Sequence, residues 1–270
     1  MSVEKMIKEL LTKSTYGFDD LVDIVCVLRS DVGCPWDREQ THRSIRKDFI
    51  EETYEVIEAI DTENPELLRE ELGDVMLQVV FHARIETEQG RFTVDDVCDE
   101  VCRKLIHRHP HVFGNVVADT SEAVLSNWEK IKSDEKERVT VTDKLKSIPP
   151  MLPALMRAQK VGKKAGCFDF ENTDQVIDKV REELIELEQA IDCNCQDNIE
   201  EEIGDLLLTV TSLGRKLGVD SEEALQRSTE KFINRFSQLE NEIILQGKDI
   251  NSVSLEELDG IWNKNKQKIQ

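Results

Sequence analysis

The feature that most constrains this chain is that it repeats itself. Displacing the sequence by 131 residues lays Glu51-Glu52-Thr53-Tyr54-Glu55 on Glu182-Glu183-Leu184-Ile185-Glu186. The same displacement lays Glu70-Glu71-Leu72-Gly73-Asp74 on Glu201-Glu202-Ile203-Gly204-Asp205. No gap separates the two matches, and Ala59-Ile60-Asp61 falls on Ala190-Ile191-Asp192. An acidic chain could match one such pattern by chance. Two patterns with the same 16-residue separation, Glu55 to Glu71 and Glu186 to Glu202, mark a duplication. The fold must therefore be one that can be built twice within 270 residues, each copy burying its own core.

The repeat sets the domain organisation. A polar stretch, SDEKERVTVTDKLKSIPP, lies between the copies, and its charge, weak periodicity and Pro-Pro pair read as a connector. The expected domains are 1–135 and 150–270, joined by a linker over 136–149. Within each copy the apolar period is helical. Ile50, Tyr54, Ile57 and Ile60 recur at i, i+4, i+7, and Leu68, Leu72, Val75 and Val79 do the same on the next segment. Asp61-Thr62-Glu63-Asn64-Pro65 breaks the first helix, and Pro65 suits the first turn of the second. Two helices joined by so short a loop pack antiparallel. The expected fold class is all-α, a duplicated helical bundle.

On a helix, residues three apart point to nearly the same side. Glu52 and Glu55 form such a pair, as do Glu71 and Asp74, and antiparallel packing turns the pairs toward one volume. The equivalents are Glu183, Glu186, Glu202 and Asp205. Each close pair of carboxylates repels by about 1–4 kcal/mol, so protons or cations must relieve the cluster. A donor set of oxygens alone selects hard cations, chiefly Mg²⁺ with Mn²⁺ as a substitute. Glycines at 73 and 204 sit mid-helix at a cost of about 1 kcal/mol against alanine. Close helix approach beside the cations and a small residue chosen for packing both remain open explanations.

Phosphates bound through such cations need basic side chains as well. After the second quartet come Lys231 and Arg235, one helical turn apart, then Trp262 and Lys266, again four apart. The first copy echoes both pairs with Lys104 and Arg108, then Trp128 and Lys132. The indole suits stacking on a nucleobase while the cations meet phosphates.

Charge and composition bound the partners. A formal charge of −21 counts against a nucleic-acid binder and against docking on anionic lipid. Seven cysteines without framework spacing read as reduced thiols in a cytoplasmic protein. Neither a signal peptide nor a membrane span is expected. Cys98, Cys102, His107, His109 and His111 stand in a row but match no zinc spacing. Trp36, within Gly33-Cys34-Pro35-Trp36-Asp37, reads as a core anchor ahead of the first quartet helix.

These stretches together support a resemblance. GCPWD at 33–37, the EExxE…ExxD pattern, HRHPHVFG at 107–114 and LPALMRAQK at 152–160 are similar to a MazG-type nucleoside triphosphate pyrophosphohydrolase in its two-domain form. The resemblance covers almost the whole chain. It implies an all-α fold that assembles as a homodimer and hydrolyses NTPs and dNTPs, with Mg²⁺, to the monophosphate and pyrophosphate. It implies that Glu183, Glu186, Glu202 and Asp205 are metal ligands. Nucleotide contacts carried over by motif are Lys179 to Glu183, Asn198 to Glu201, Lys231, Arg235 and Trp262. Asn198 stands where relatives can carry a lysine. Glu182 and Glu201 are candidates to orient or deprotonate the attacking water, and Lys231 and Arg235 to stabilise the departing charge.

The copies differ in one informative place. Four residues before the second Glu of EExxE stands Lys179 in the second copy but Asp48 in the first. An anion there should weaken phosphate binding, which points to the second copy as the main hydrolase. The rival from another class is a non-catalytic helical interaction or Mg-nucleotide-sensing protein, against which the ordered basic residues argue.

Overall fold

The computed structural model describes residues 2–118, 120–134 and 140–268. Every regular element among them is helical, so the all-α expectation holds. The chain divides into two compact units, Met1–Glu135 and Lys136–Gln270.

The first unit runs α1 (Val3–Thr12), α2 (Phe18–Leu28), α3 (Pro35–Glu39), α4 (Arg46–Asp61), α5 (Pro65–Glu88), α6 (Val94–Arg108), α7 (Pro110–Phe113) and α8 (Ser121–Asp134). The second runs α9 (Val141–Lys146), α10 (Ala154–Lys164), α11 (Thr173–Asp192), α12 (Gln196–Lys216), α13 (Ser221–Leu245), a 3₁₀ turn at Ile250–Ser252, and α14 (Leu255–Lys268). The principal packed pairs are α4 with α5 and α11 with α12, the two hairpins that carry the carboxylates.

The hairpin turn shows why the sequence breaks where it does. Asn64 caps α5, its side-chain oxygen accepting from the amides of Glu66 and Leu67 at 3.1 and 3.2 Å, with Pro65 at the first helical position. One residue earlier the backbone turns left-handed, at Glu63 (φ 52°) and at its equivalent Asn194 (φ 51°). Asparagine tolerates this conformation better than glutamate. The turn was duplicated with the helices.

The first unit has a core of Val25, Ile45, Val80, Phe81 and Ile85, which joins α2, the start of α4 and the second half of α5. The segment leading into α4 is fastened further by polar contacts: His42 meets His82 at 2.7 Å and Glu86 at 2.5 Å, and Arg91 meets Glu86 at 2.7 Å. Arg91, then His42, holds the Glu86 carboxyl down at about 2 against the pull of burial. In the second unit the buried cluster is Leu239, Ile243 and Ile261, where α13 packs on α14.

Three readings of the sequence are revised. Within the expected linker, Val141–Lys146 is a helix that packs on α10, capped by Thr140 and Asp143 in a reciprocal box, with Ile148 buried behind it. Its earlier part, 136–139, lies outside the described residues. Trp36 is 63% exposed and anchors no core; the close approach in its motif belongs to Gly33, where a Cβ would lie 2.2 and 2.3 Å from the carbonyl oxygens of Val27 and Leu28. At Gly73 and Gly204 an added Cβ meets nothing within 4 Å, so neither glycine is required by a neighbour within its chain.

Opposite outcomes are therefore expected for two alanine substitutions. Gly73→Ala should gain about 0.5–1 kcal/mol from helix propensity. Gly33→Ala should lose about 1–3 kcal/mol through overpacking against backbone. Denaturant unfolding of the two variants checks both signs.

Candidate metal and nucleotide site

Each hairpin brings three carboxylates together. One oxygen each from Glu52, Glu55 and Glu71 lies within 4.8 Å of the others, and the same holds for Glu183, Glu186 and Glu202. Helix periodicity supplies the first two of each trio and antiparallel packing the third. Asp74 and Asp205 stand outside those triplets yet close enough to act on them. The charge of Asp74 helps raise the Glu52 carboxyl, and that of Asp205 helps raise Glu202.

The electrostatics carry the signature of crowded like charges. Burial first, then the hydrogen bond that protonated Glu52 donates to Glu55 and the charges of Asp74, Glu55 and Glu71, push Glu52 up to about 7. Glu71 and Glu202 are raised as well, burial being the largest cause in each and the neighbouring carboxylates the rest. Glu183 is only 4% exposed. Converging oxygens, no nitrogen or sulfur donor, and excess negative charge fit a hard divalent cation.

The copies relieve the crowding differently. In the second unit the Lys179 ammonium lies 2.6 Å from Glu182, 3.0 Å from Glu183 and 4.0 Å from Glu186. Glu182, then Glu183, raises the pKa of Lys179. In the first unit the equivalent position holds Asp48, so that cluster has no lysine in this place. Lys179 thus acts at the second cluster itself.

The other expected nucleotide residues are distributed over four helices, α11 to α14. Asn198 and Glu201 are exposed on the first turns of α12, and Glu182 is exposed on α11. Lys231 is exposed on α13. Arg235 is half-buried one turn on, its Nε enclosed without a hydrogen-bond partner. Trp262 is half-buried against the α13–α14 cluster and its ring meets Phe232 at 5.1 Å, so part of the indole is committed to packing. Lys266 is exposed on the following turn. Within one chain α13 packs mainly on α14 and α10 and touches α12 only sparsely. In the first unit Arg108 and Lys132 lie 5.5 and 4.6 Å from the Trp128 ring centre, so there the basic residues and the indole meet directly.

A family model described as the MazG nucleotide pyrophosphohydrolase domain matches residues 40–113 and again 171–239, once over each hairpin. The chain belongs to the MazG family. It is 44% identical over 251 residues to the nucleoside triphosphate pyrophosphohydrolase/pyrophosphatase MazG of Thermotoga maritima, covering 92% of this chain and 95% of that one. It is 42% identical over 257 residues to the nucleoside triphosphate pyrophosphohydrolase of Escherichia coli K12, covering 92% and 97%. The uncharacterized protein YabN of Bacillus subtilis is 40% identical over 255 residues, which make up 52% of its own length. The MazG matches begin and end around the carboxylate helices, so the family resemblance and the duplicated cluster fall on the same residues.

Sequence reasoning missed two groupings. The His42–His82–Glu86 contact joins residues 40 and 44 apart, with no local pattern to announce it. Arg215, Lys160 and Lys163 line one cavity from two helices. Only comparison of the two copies position by position would have singled them out.

The raised Glu52 gives a pH expectation. Its carboxyl titrates near 4.5 unfolded and near 7 folded, so the folded state holds the extra proton between those values. Stability should therefore fall as pH rises from about 4.5 to about 7 in the presence of a chelator. Glu52→Gln should flatten that slope, and thermal melts across the pH range read it.

Proposed function

We propose that this chain hydrolyses nucleoside and deoxynucleoside triphosphates to the monophosphate and pyrophosphate, with the second unit as the principal site. The observation that carries the reading is the converging trio Glu183, Glu186 and Glu202 beside Lys179, in a chain of the MazG family. Glu183, Glu186 and Glu202, with Asp205, would hold Mg²⁺, or Mn²⁺ in its place. The bound cation supplies neutralisation of the triphosphate and polarisation of the phosphorus under attack.

The chain's own residues do the rest. Glu182 and Glu201 flank the ligand positions in sequence and are exposed, which suits them to orient the attacking water and take its proton. Attack at the α-phosphorus breaks its bond to the bridging oxygen, and pyrophosphate departs with that oxygen. Lys231 and Arg235 meet the charge that develops on the leaving group; the enclosed Arg235 Nε is a donor awaiting an acceptor. Lys179 adds positive charge beside the phosphates, Asn198 a neutral polar contact, and Lys266 a further cation. Trp262 offers the uncommitted part of its indole to the base.

Assembly as a homodimer is part of the proposal. Leu184, Ile185, Ile203, Leu207, Leu208 and Val210 are 45–52% exposed on α11 and α12. An apolar face of this kind is rarely left wet. A second copy would cover it and bring α13 toward the carboxylates. No helix among the described residues is long and apolar enough to cross a membrane. The acidic charge of −21 disfavours nucleic-acid and lipid partners, and the free cysteines suit the cytoplasm.

Two measurements test the proposal. Product analysis should find pyrophosphate and monophosphate in equal amounts; orthophosphate and diphosphate would overturn the reaction. Glu202→Ala should lower turnover by about 10³-fold or more, a loss on the scale of removing a principal electrostatic contact. Glu71→Ala should leave most of it, and the reverse pattern would reassign the activity to the first unit.

A further inference from the structure

The two halves treat one pair of cations differently. In the first unit Glu88 ends α5 and accepts from Arg29 Nε at 3.0 Å, Arg29 Nη2 at 2.8 Å and Arg84 Nε at 3.0 Å. Displacement by 131 residues carries Arg84 onto Arg215, Arg29 onto Lys160 and Glu88 onto Val219. Both cations persist while the carboxylate between them does not. The consequence shows in a single atom. Arg84 Nε is satisfied by Glu88, whereas Arg215 Nε is buried with no hydrogen-bond partner. A buried donor without an acceptor is rare in folded proteins.

The surroundings of Arg215 are built rather than slack. A cavity of about 360 Å³ opens there, lined by Gln159, Lys160, Lys163, Arg215, Val219 and Asp220 among others. A Cβ on Gly162 would lie 3.0 Å from Arg215 Nε, and one on Gly214 would lie 2.5 Å from Ser221 Oγ, so α10 sits close over the turn from α12 to α13. Gln159 fastens that crossing, donating to the Val219 carbonyl at 2.7 Å and accepting from the Ser221 amide at 3.3 Å. The nearby carboxylates are committed elsewhere. Asp220 caps α13 through the amides of Glu222 and Glu223 at 3.0 and 3.1 Å. Asp169 serves two cations at once, Arg215 Nη2 at 2.5 Å and Lys216 at 2.9 Å. Lys160 and Lys163 make no ion pair among the described residues.

We infer that this cavity is a binding site for a phosphate-class anion, seated where Glu88 sits in the first unit and drawn by the Arg215 guanidinium, whose Nε has no acceptor among the described residues. Lys160 and Lys163 supply the remaining positive charge, which favours a multiply charged anion such as inorganic pyrophosphate over orthophosphate. The site is separate from the carboxylate cluster: Arg215 lies thirteen residues beyond Glu202 on the same helix, about 20 Å along its axis. It binds without a divalent cation and does not depend on the proposed hydrolysis. Two sources share this chemistry, free pyrophosphate and the phosphates of a nucleotide.

Calorimetry on the full chain in a chelator separates them, with sodium pyrophosphate, orthophosphate and a nonhydrolysable nucleoside triphosphate as probes. Pyrophosphate is expected to bind more tightly than orthophosphate. Val219→Glu, which restores the first unit's carboxylate, should weaken it tenfold or more, and so should Lys160→Gln, whose exposed position keeps the fold intact. Glu202→Gln should leave the affinity unchanged. If only the triphosphate binds, and does so with the same sensitivity to Val219→Glu and Lys160→Gln, the anion is a nucleotide's phosphates. Absence of binding, or binding that both variants leave intact, would overturn the assignment.

Discussion

Mutual repulsion among three carboxylates is the interaction on which the rest of this structure depends. Left in water, Glu183, Glu186 and Glu202 would separate; the α11–α12 hairpin holds their oxygens within 4.8 Å instead. Close packing of α11 on α12 holds that arrangement against repulsion of about 1–4 kcal/mol per close pair. The same arrangement appears at Glu52, Glu55 and Glu71, where the Glu52 carboxyl is driven up to about 7. A fold that stores unfavourable charge twice, at matching positions, is one prepared for a cation.

Duplication then allowed the copies to diverge around a fixed frame. The left-handed turn at Glu63 recurs at Asn194, and the hairpin geometry with it. Single exchanges on that frame redirect charge. The first cluster lacks the cation that Lys179 brings to the second, and Val219 stands at a basic cavity of the second unit where the first has Glu88. On the proposed reading both exchanges favour phosphates in the second unit, one on α11 and one in the turn after α12.

Much of this was legible in the sequence, for identifiable reasons. Spacings of three on one helix and a short Asn-Pro loop are local signals, so the trios and the antiparallel hairpins could be read directly. The fourth members, Asp74 and Asp205, were placed in the quartets by the same rule; they act on the clusters through their charge without joining the triplets of converging oxygens. What escaped depends on long-range packing. Nothing near Trp36 announces that it stays exposed, and nothing near Gly73 that its Cβ position is open. Thr140 and Asp143 cap a helix inside a stretch whose prolines and charges read as a connector. The His42–His82 contact and the Arg215 cavity join distant segments, so periodicity had no purchase on them.

Each trio is proposed as a cation site. Calorimetric titration of Mg²⁺ into chelator-dialysed protein at pH 8 tests it most directly, in the wild type, Glu71→Gln, Glu202→Gln and the variant carrying both. Two classes of binding are expected, with each substitution removing one and sparing the other. Mg²⁺ binding that survives both substitutions together would contradict the account.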